Sequence, residues 1–286
     1  MAKCAVCFRH CEIPEGSAGF CKVRGCREGA VVPLNYGQLT ALALDPIEKK
    51  PLMRFHPGSR ILSVGSWGCN LRCPFCQNHE ISWSAEAAAN GQRARKTSPE
   101  ELVEAALGCL DRGNIGLAFT YNEPLTGWEF VRDTAKLSRE AGLRNVLVTN
   151  GTAEPSVLEE LGPYIDAMNI DLKGFTEGYY RRVLGGDLET VKRFIARAVQ
   201  LCHVELTTLI VPGENDSPEE MRALSAWVAG LRDAGGKPIG AGIPLHVSRF
   251  FPRFRMTDRA ATPVKTVYAL AETAREKLRY VYTGNC

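Results

Sequence analysis

Cys69, Cys73 and Cys76 lie in one short run, Gly65-Ser66-Trp67-Gly68-Cys69-Asn70-Leu71-Arg72-Cys73-Pro74-Phe75-Cys76, with C-x3-C-x2-C spacing. Thiolates are soft ligands, suited to zinc, copper(I) and iron–sulfur clusters. A structural zinc site draws four ligands from the protein, so three on one loop describe an incomplete coordination sphere, and an open position is where metal centres do chemistry. His79 would complete a Cys3His zinc site with them, but that packs four ligands into eleven residues with no returning strand or helix to hold a tetrahedron. A disulfide framework fits less well. The chain is long and its start, Met1-Ala2-Lys3-Cys4, has no apolar leader, which predicts a cytoplasmic protein with reduced thiols.

Eight of the eleven cysteines fall in two clusters, which argues for metal rather than scattered packing. Cys4-x2-Cys7-x3-Cys11-x9-Cys21 offers four thiolates in a segment too small for its own core, a candidate second metal site for zinc or a further iron–sulfur cluster. Spacing does not separate those two, and Cys26 is spare or an alternative ligand. Cys109, in a helical run, reads as packing, and Cys202 and Cys286 are singletons.

These ligands need a scaffold. With 286 residues, 45% of them hydrophobic and 23% charged, the chain can bury a barrel-sized core. Short apolar runs at Ile61–Gly65, Ile115–Thr120, Asn145–Thr149, Ala167–Leu172, Val204–Val211, Pro244–Phe250 and Tyr280–Tyr282 read as buried strands. Helix signals stand between them. Ser98-Pro99-Glu100-Glu101 and Ser217-Pro218-Glu219-Glu220 each place serine at N-cap and glutamate at N3, predicting reciprocal capping. Thr262-Pro263 opens another helix, and Gly142 and Gly235 read as helix C′ positions. The alternation predicts an α/β protein, a partial (βα)6-type TIM barrel over 61–286, preceded by a small cysteine-rich metal-binding extension and lead-in over 1–60. A flat doubly wound sheet is the alternative.

Parallel βα folds carry their sites at the carboxyl ends of the strands. Polar residues stand there on successive strands: Asn122-Glu123-Pro124, Thr149-Asn150-Gly151, Asn169 with Asp171 and Lys173, Glu214-Asn215-Asp216, and His246 with Ser248 and Arg249. Singly, each has a structural reading, as turn chemistry, an Asp171–Lys173 ion pair or a core histidine. Together they mark a cofactor pocket, with Asn122, Glu123, Thr149, Asn150, Asp171, Lys173 and His246 as candidate contacts. The net charge of +3 demands no nucleic-acid partner, and Arg93, Arg95 and Lys96, like Arg249, Arg253, Arg255 and Arg259, read as solvated surface. No apolar run approaches the roughly 18 residues of a membrane helix, so no membrane partner is expected.

With Phe75 before the last cysteine and a strand leading in, the cysteine loop resembles the cluster-binding signature of the radical S-adenosylmethionine (SAM) superfamily. Asn122-Glu123-Pro124 resembles the Gly-Gly-Glu-Pro segment that binds the methionine amino group there, with asparagine for a glycine. Thr149-Asn150-Gly151 and Asp171-Leu172-Lys173 look like segments that glycyl-radical-enzyme activases place around the methionine and ribose, which implies Glu123, Asn150 and Asp171 as cofactor contacts and Lys173 as a carboxylate partner. Across Cys7–Arg24, Asp45-Pro46-Ile47-Glu48-Lys49-Lys50-Pro51-Leu52, Cys76-Gln77-Asn78, Asp166–Lys173, His203–Thr208 and Tyr280-Val281-Tyr282, the chain is similar to the radical SAM member of the AmmeMemoRadiSam system, related to pyruvate formate-lyase activases. Phe250-Phe251-Pro252 departs from it with phenylalanine where histidine is expected, and the chain ends at Cys286 where relatives often carry a further cysteine segment.

The resemblance implies a [4Fe–4S] cluster on Cys69, Cys73 and Cys76, its fourth iron chelated by SAM, and reductive cleavage to a 5′-deoxyadenosyl radical that abstracts hydrogen from a substrate. It implies an external electron donor such as flavodoxin or ferredoxin, and a substrate that is either a protein glycine, as for activases, or a small molecule or other protein. No residue is assigned to catalysis itself. A zinc-stapled, non-catalytic binding module is the competing class, and it leaves the polar strand ends unexplained.

Overall fold

The computed structural model describes residues 1–286 apart from the side chain of Gln92. Each apolar run between residues 61 and 282 is a strand: Arg60–Gly65, Asn114–Thr120, Arg144–Thr149, Ala167–Asp171, His203–Ile210, Leu245–Arg249 and Val281–Gly284. All six neighbouring pairs are parallel, and spatial order follows chain order. A doubly wound sheet would reverse its order at a switch point, so the flat alternative is set aside in favour of a partial barrel. Near-continuous burial, as along Asn114–Thr120, is the mark of strands covered on both faces.

Six principal helices make the crossovers: Pro99–Leu107, Trp128–Glu140, Pro155–Leu161, Leu188–Ala198, Pro218–Ala229 and Val264–Arg275. The first has the full capping box, with Ser98 Oγ accepting from Glu101 N at 3.2 Å and Glu101 Oε2 accepting from Ser98 N at 2.9 Å. The second expected box is half formed: Ser217 Oγ accepts from Glu220 N, but the Glu220 carboxylate turns away to accept from Phe175 N. Gly142 is a C′ glycine with φ +79°. Gly235 is not, because that helix already ends at Ala229 with Gly230 as its cap, and Gly235 lies in a turn capped by Asp233 Oδ1.

The lead-in is more integral than its sequence suggests. Residues Ala41–Pro46 pair antiparallel with Arg60–Gly65 and form the eighth, edge strand of the main sheet, across the boundary drawn at residue 60. Ile47 and Leu52 are fully buried against Ile61, Ala118, Val146 and Ala167, closing the barrel floor. Residues 1–40 add only short pairings: Ala2–Lys3 with Glu12–Ile13, Arg24–Arg27 with Ala30–Pro33, and Gln38–Leu39 with Arg95–Lys96. Among the described residues, no helix is long and apolar enough to cross a membrane.

Candidate functional site

At the carboxyl end of the sheet a cavity of about 320 Å³ is lined by Cys69, Cys73 and Cys76 together with Asn122, Glu123, Thr149, Asn150, Asp171, Lys173 and Ser248. The cysteine loop leaves the strand Arg60–Gly65 and is held from several directions. Asn122 Oδ1 accepts from Ser66 N at 3.0 Å, while its Nδ2 donates to the carbonyls of Trp67 and Gly68 at 3.1 Å each. Gly68, at φ +91°, passes so close to the amino-terminal segment that a Cβ there would lie 2.5 Å from Val23 Cγ1. Arg72 N donates to Leu184 O at 2.8 Å, at the end of a π-helical turn spanning Tyr180–Leu184. Arg72 is half-buried and does not line the cavity. Its guanidinium donates to Cys69 O and Leu71 O within the loop and to Phe20 O outside it.

Glu123 is buried where the ends of the strands Asn114–Thr120 and Arg144–Thr149 meet. Oε1 accepts from Thr149 Oγ1 at 2.7 Å and Leu125 N at 3.1 Å, and Oε2 accepts from Asn150 N at 2.8 Å. Burial nonetheless dominates and pushes the carboxyl up to about 7. Asn150 donates from Nδ2 to Asn70 Oδ1 at 2.9 Å and lies 3.8 Å from Cys69 Sγ, and Asn70 donates onward to Thr152 Oγ1 at 2.7 Å. Lys173 Nζ pairs with Asp171 Oδ2 at 2.7 Å, and although burial opposes the charge, the Asp171 carboxylate beside it holds its ammonium charged. The thiols are all free, and burial raises all three, Cys73 to about 12. Among the described residues, no three Cys, His, Asp or Glu side chains stand close enough to hold a metal ion as placed. The donor set nevertheless fits an iron–sulfur cluster, because three thiols and no other Cys or His line the cavity.

Six of the seven expected cofactor contacts, Asn122, Glu123, Thr149, Asn150, Asp171 and Lys173, line this cavity, although the polar atoms of Asn122 are spent on the cysteine loop. His246 does not line it. Its Nε2 lies 2.7 Å from Glu205 Oε2, and Glu205 also meets His203 Nε2 and accepts from the amides of Met53 and Arg54. This buried cluster belongs to the barrel floor, so His246 is corrected from cofactor contact to structural partner. His79 is likewise turned onto Phe254, ring centroids 4.1 Å apart, and does not line the cavity, against the Cys3His zinc alternative. Asn70 and Thr152 carry no signal of their own in the sequence, and Asn215 stands there only among the polar strand ends, not among the candidate contacts. Asn215 donates to the carbonyls of Lys173 and Leu209, which ties the two strand ends together.

The family model for the radical SAM superfamily matches residues 65–224. An uncharacterised protein of Methanocaldococcus jannaschii is 40% identical over 286 residues, covering 99% of this chain and 81% of that protein. The pyruvate formate-lyase-activating enzyme of Clostridium pasteurianum is 29% identical over 182 residues, 62% of this chain and 72% of that enzyme. Among solved structures, Streptococcus suis SuiB bound to precursor peptide SuiA superposes with a TM-score of 0.59 at 14% identity, covering 84% of this chain and 51% of that one, a likeness of fold.

Proposed function

This chain belongs to the radical SAM superfamily, and from that premise we propose that Cys69, Cys73 and Cys76 hold a [4Fe–4S] cluster at which S-adenosylmethionine is cleaved reductively. The observation that carries this reading is that all three thiols line the same cavity as Glu123, Asn150, Asp171 and Lys173. A cluster held by these thiols would supply the electron for reductive cleavage of the sulfonium, the chemistry by which this cofactor pair takes a hydrogen atom from a substrate. The chain's own residues then orient and shield. Lys173 presents an ammonium to the methionine carboxylate, with Asp171 fixing its position. Asn150 directs an amide N–H at Cys69 Sγ, and N–H groups aimed at cluster sulfurs shift the reduction potential. Glu123 fixes Thr149 and Asn150, and Asn122 fixes the cysteine loop, so both act as positioning residues.

For the substrate, likeness to a pyruvate formate-lyase-activating enzyme favours a glycine backbone position of a partner protein, with an external one-electron donor of the flavodoxin or ferredoxin type. Anaerobic reconstitution with iron and sulfide, followed by dithionite and S-adenosylmethionine, is expected to release methionine and 5′-deoxyadenosine. Failure to assemble a cluster, with zinc filling the site instead, would overturn the proposal in favour of a non-catalytic module. Partner protein deuterated at glycine should pass deuterium into 5′-deoxyadenosine. Transfer only from deuterated small molecules would remove the activase reading and leave the cleavage chemistry standing.

A further inference from the structure

A second set of thiols sits beside the cysteine loop. The hairpin pairing Ala2–Lys3 with Glu12–Ile13 sets Cys4 opposite Cys11, and Cys4 N donates to Cys11 O at 2.8 Å. Cys7 lies in the turn between them, closed by His10 N to Cys7 O at 3.1 Å, and Cys21 in a second turn, closed by Lys22 N to Gly19 O at 2.9 Å. Both turns hold a non-glycine residue in the left-handed region, His10 at φ 42° and Lys22 at φ 70°, strain that persists only where the surroundings over-determine it. The Cys11 thiol packs on Gly19, where an added Cβ would lie 3.5 Å from Sγ. Cys4, Cys7 and Cys21 are buried, and none of the four is in a disulfide. Cys26 is outside the set, since its thiol donates to Glu15 Oε2 at 3.3 Å. Strand pairs of two to four residues are too short to stand by themselves, so this segment calls for a staple.

The neighbours of these cysteines grip the backbone of the cysteine loop. Arg9, two residues after Cys7, donates from Nε to Asn70 O at 2.8 Å and from Nη2 to Gly185 O. Phe20, the residue before Cys21, accepts from Arg72 through its carbonyl, while the guanidinium carbons of Arg9 and Arg72 lie 3.4 and 3.8 Å from its ring centroid. Cys7 itself bridges to Ala153, and Val6 O accepts from Glu154 N at 2.9 Å, just past Asn150. We propose that Cys4, Cys7, Cys11 and Cys21, which neighbour one another but do not stand at ligating distance as placed, close on binding into a four-thiolate metal centre, zinc or an iron–sulfur cluster, and that this centre braces the Cys69–Cys76 loop through Arg9 and Phe20. Four protein thiolates complete the coordination, so its role is structural rather than substrate-binding.

The test uses the full chain with Cys69, Cys73 and Cys76 all replaced by alanine, so its outcome does not depend on the chemistry proposed for the cavity. That chain is expected to retain about one zinc, or one cluster's complement of iron and sulfide, and elemental analysis separates the two forms. Cys4→Ser with Cys21→Ser should lose the metal and Cys26→Ser should keep it. A metal-free triple variant, retention in the double serine variant, or loss on Cys26→Ser would each overturn the ligand set. Stripping the metal should speed amide hydrogen exchange in residues 68–76 by about tenfold or more, with strands 114–120 and 144–149 unchanged as the check that the barrel remains folded. Arg72→Ala should loosen the same peptide with the metal still bound. Unchanged exchange in 68–76 under both conditions would overturn the bracing role.

Discussion

His246 Nε2 and Glu205 Oε2 stand 2.7 Å apart in the barrel floor, where the Glu205 carboxylate is inaccessible to solvent and has four partners. Although burial opposes its ionisation, the hydrogen bonds from His203, His246, Arg54 and Met53 together bring it down to about 2. A depressed carboxylate stabilises the fold above its unfolded pKa, near 4.3, and that contribution is lost as pH falls toward about 2. Glu205→Gln is therefore expected to cost about 3 kcal/mol at neutral pH and progressively less below pH 4, read by urea denaturation across pH. Equal loss at pH 7 and pH 2.5 would contradict this account.

Glu123 carries the opposite sign. Its carboxyl is raised to about 7 by burial, so ionisation penalises the folded metal-free chain as pH rises from the unfolded value toward about 7. Glu123→Gln should flatten that part of the pH–stability curve of the metal-free protein while disturbing Thr149 and Asn150, which donate to the carboxylate. A curve unchanged by the substitution would show that Glu123 is already ionised at low pH.

Asn122→Ala leaves Ser66 N without its side-chain acceptor, while the carbonyls of Trp67 and Gly68 keep Asn35 Nδ2 and Glu123 N as donors. An amide left unpaired costs about 1–3 kcal/mol when buried, less where water reaches it. The expected result is a modest fall in denaturation midpoint with a larger fall in cluster occupancy after reconstitution, read by absorbance near the sulfide-to-iron bands. Full occupancy would assign Asn122 to stability alone.

Cys73→Ala should abolish S-adenosylmethionine cleavage and lose the cluster at the cavity, whereas Cys202→Ala, on the thiol that donates to Ala198 O, should leave both intact. Equal loss in the two variants would indicate a general effect on folding.

Local patterns were legible wherever one residue's neighbours decide its state. The C-x3-C-x2-C spacing, the seven apolar runs and the Ser98 capping box depend on adjacent residues. Ser98 and Ser217 nevertheless show how far a pattern reaches: Glu220 matches the box in sequence, yet a donor forty-five positions away, Phe175 N, takes its carboxylate. The lead-in could not be placed from sequence, because the strand Ala41–Pro46 gains its meaning only by pairing with Arg60–Gly65.

By itself the sequence determined the three-thiol loop, the alternation of strands and helices, and the strand ends at which Glu123, Asn150, Asp171 and Lys173 stand, since chain order and side-chain alternation fix these. Tertiary structure alone decided depth and partner. His246 and Ser248 share a face of one strand, but two residues lower, roughly 6.6 Å, is the difference between the cavity wall at Ser248 and the Glu205 cluster at His246. Likewise Asn122 lines the cavity yet spends its amide on Ser66, Trp67 and Gly68, because buried polar atoms go to the nearest unmet backbone group and only the folded chain says which that is.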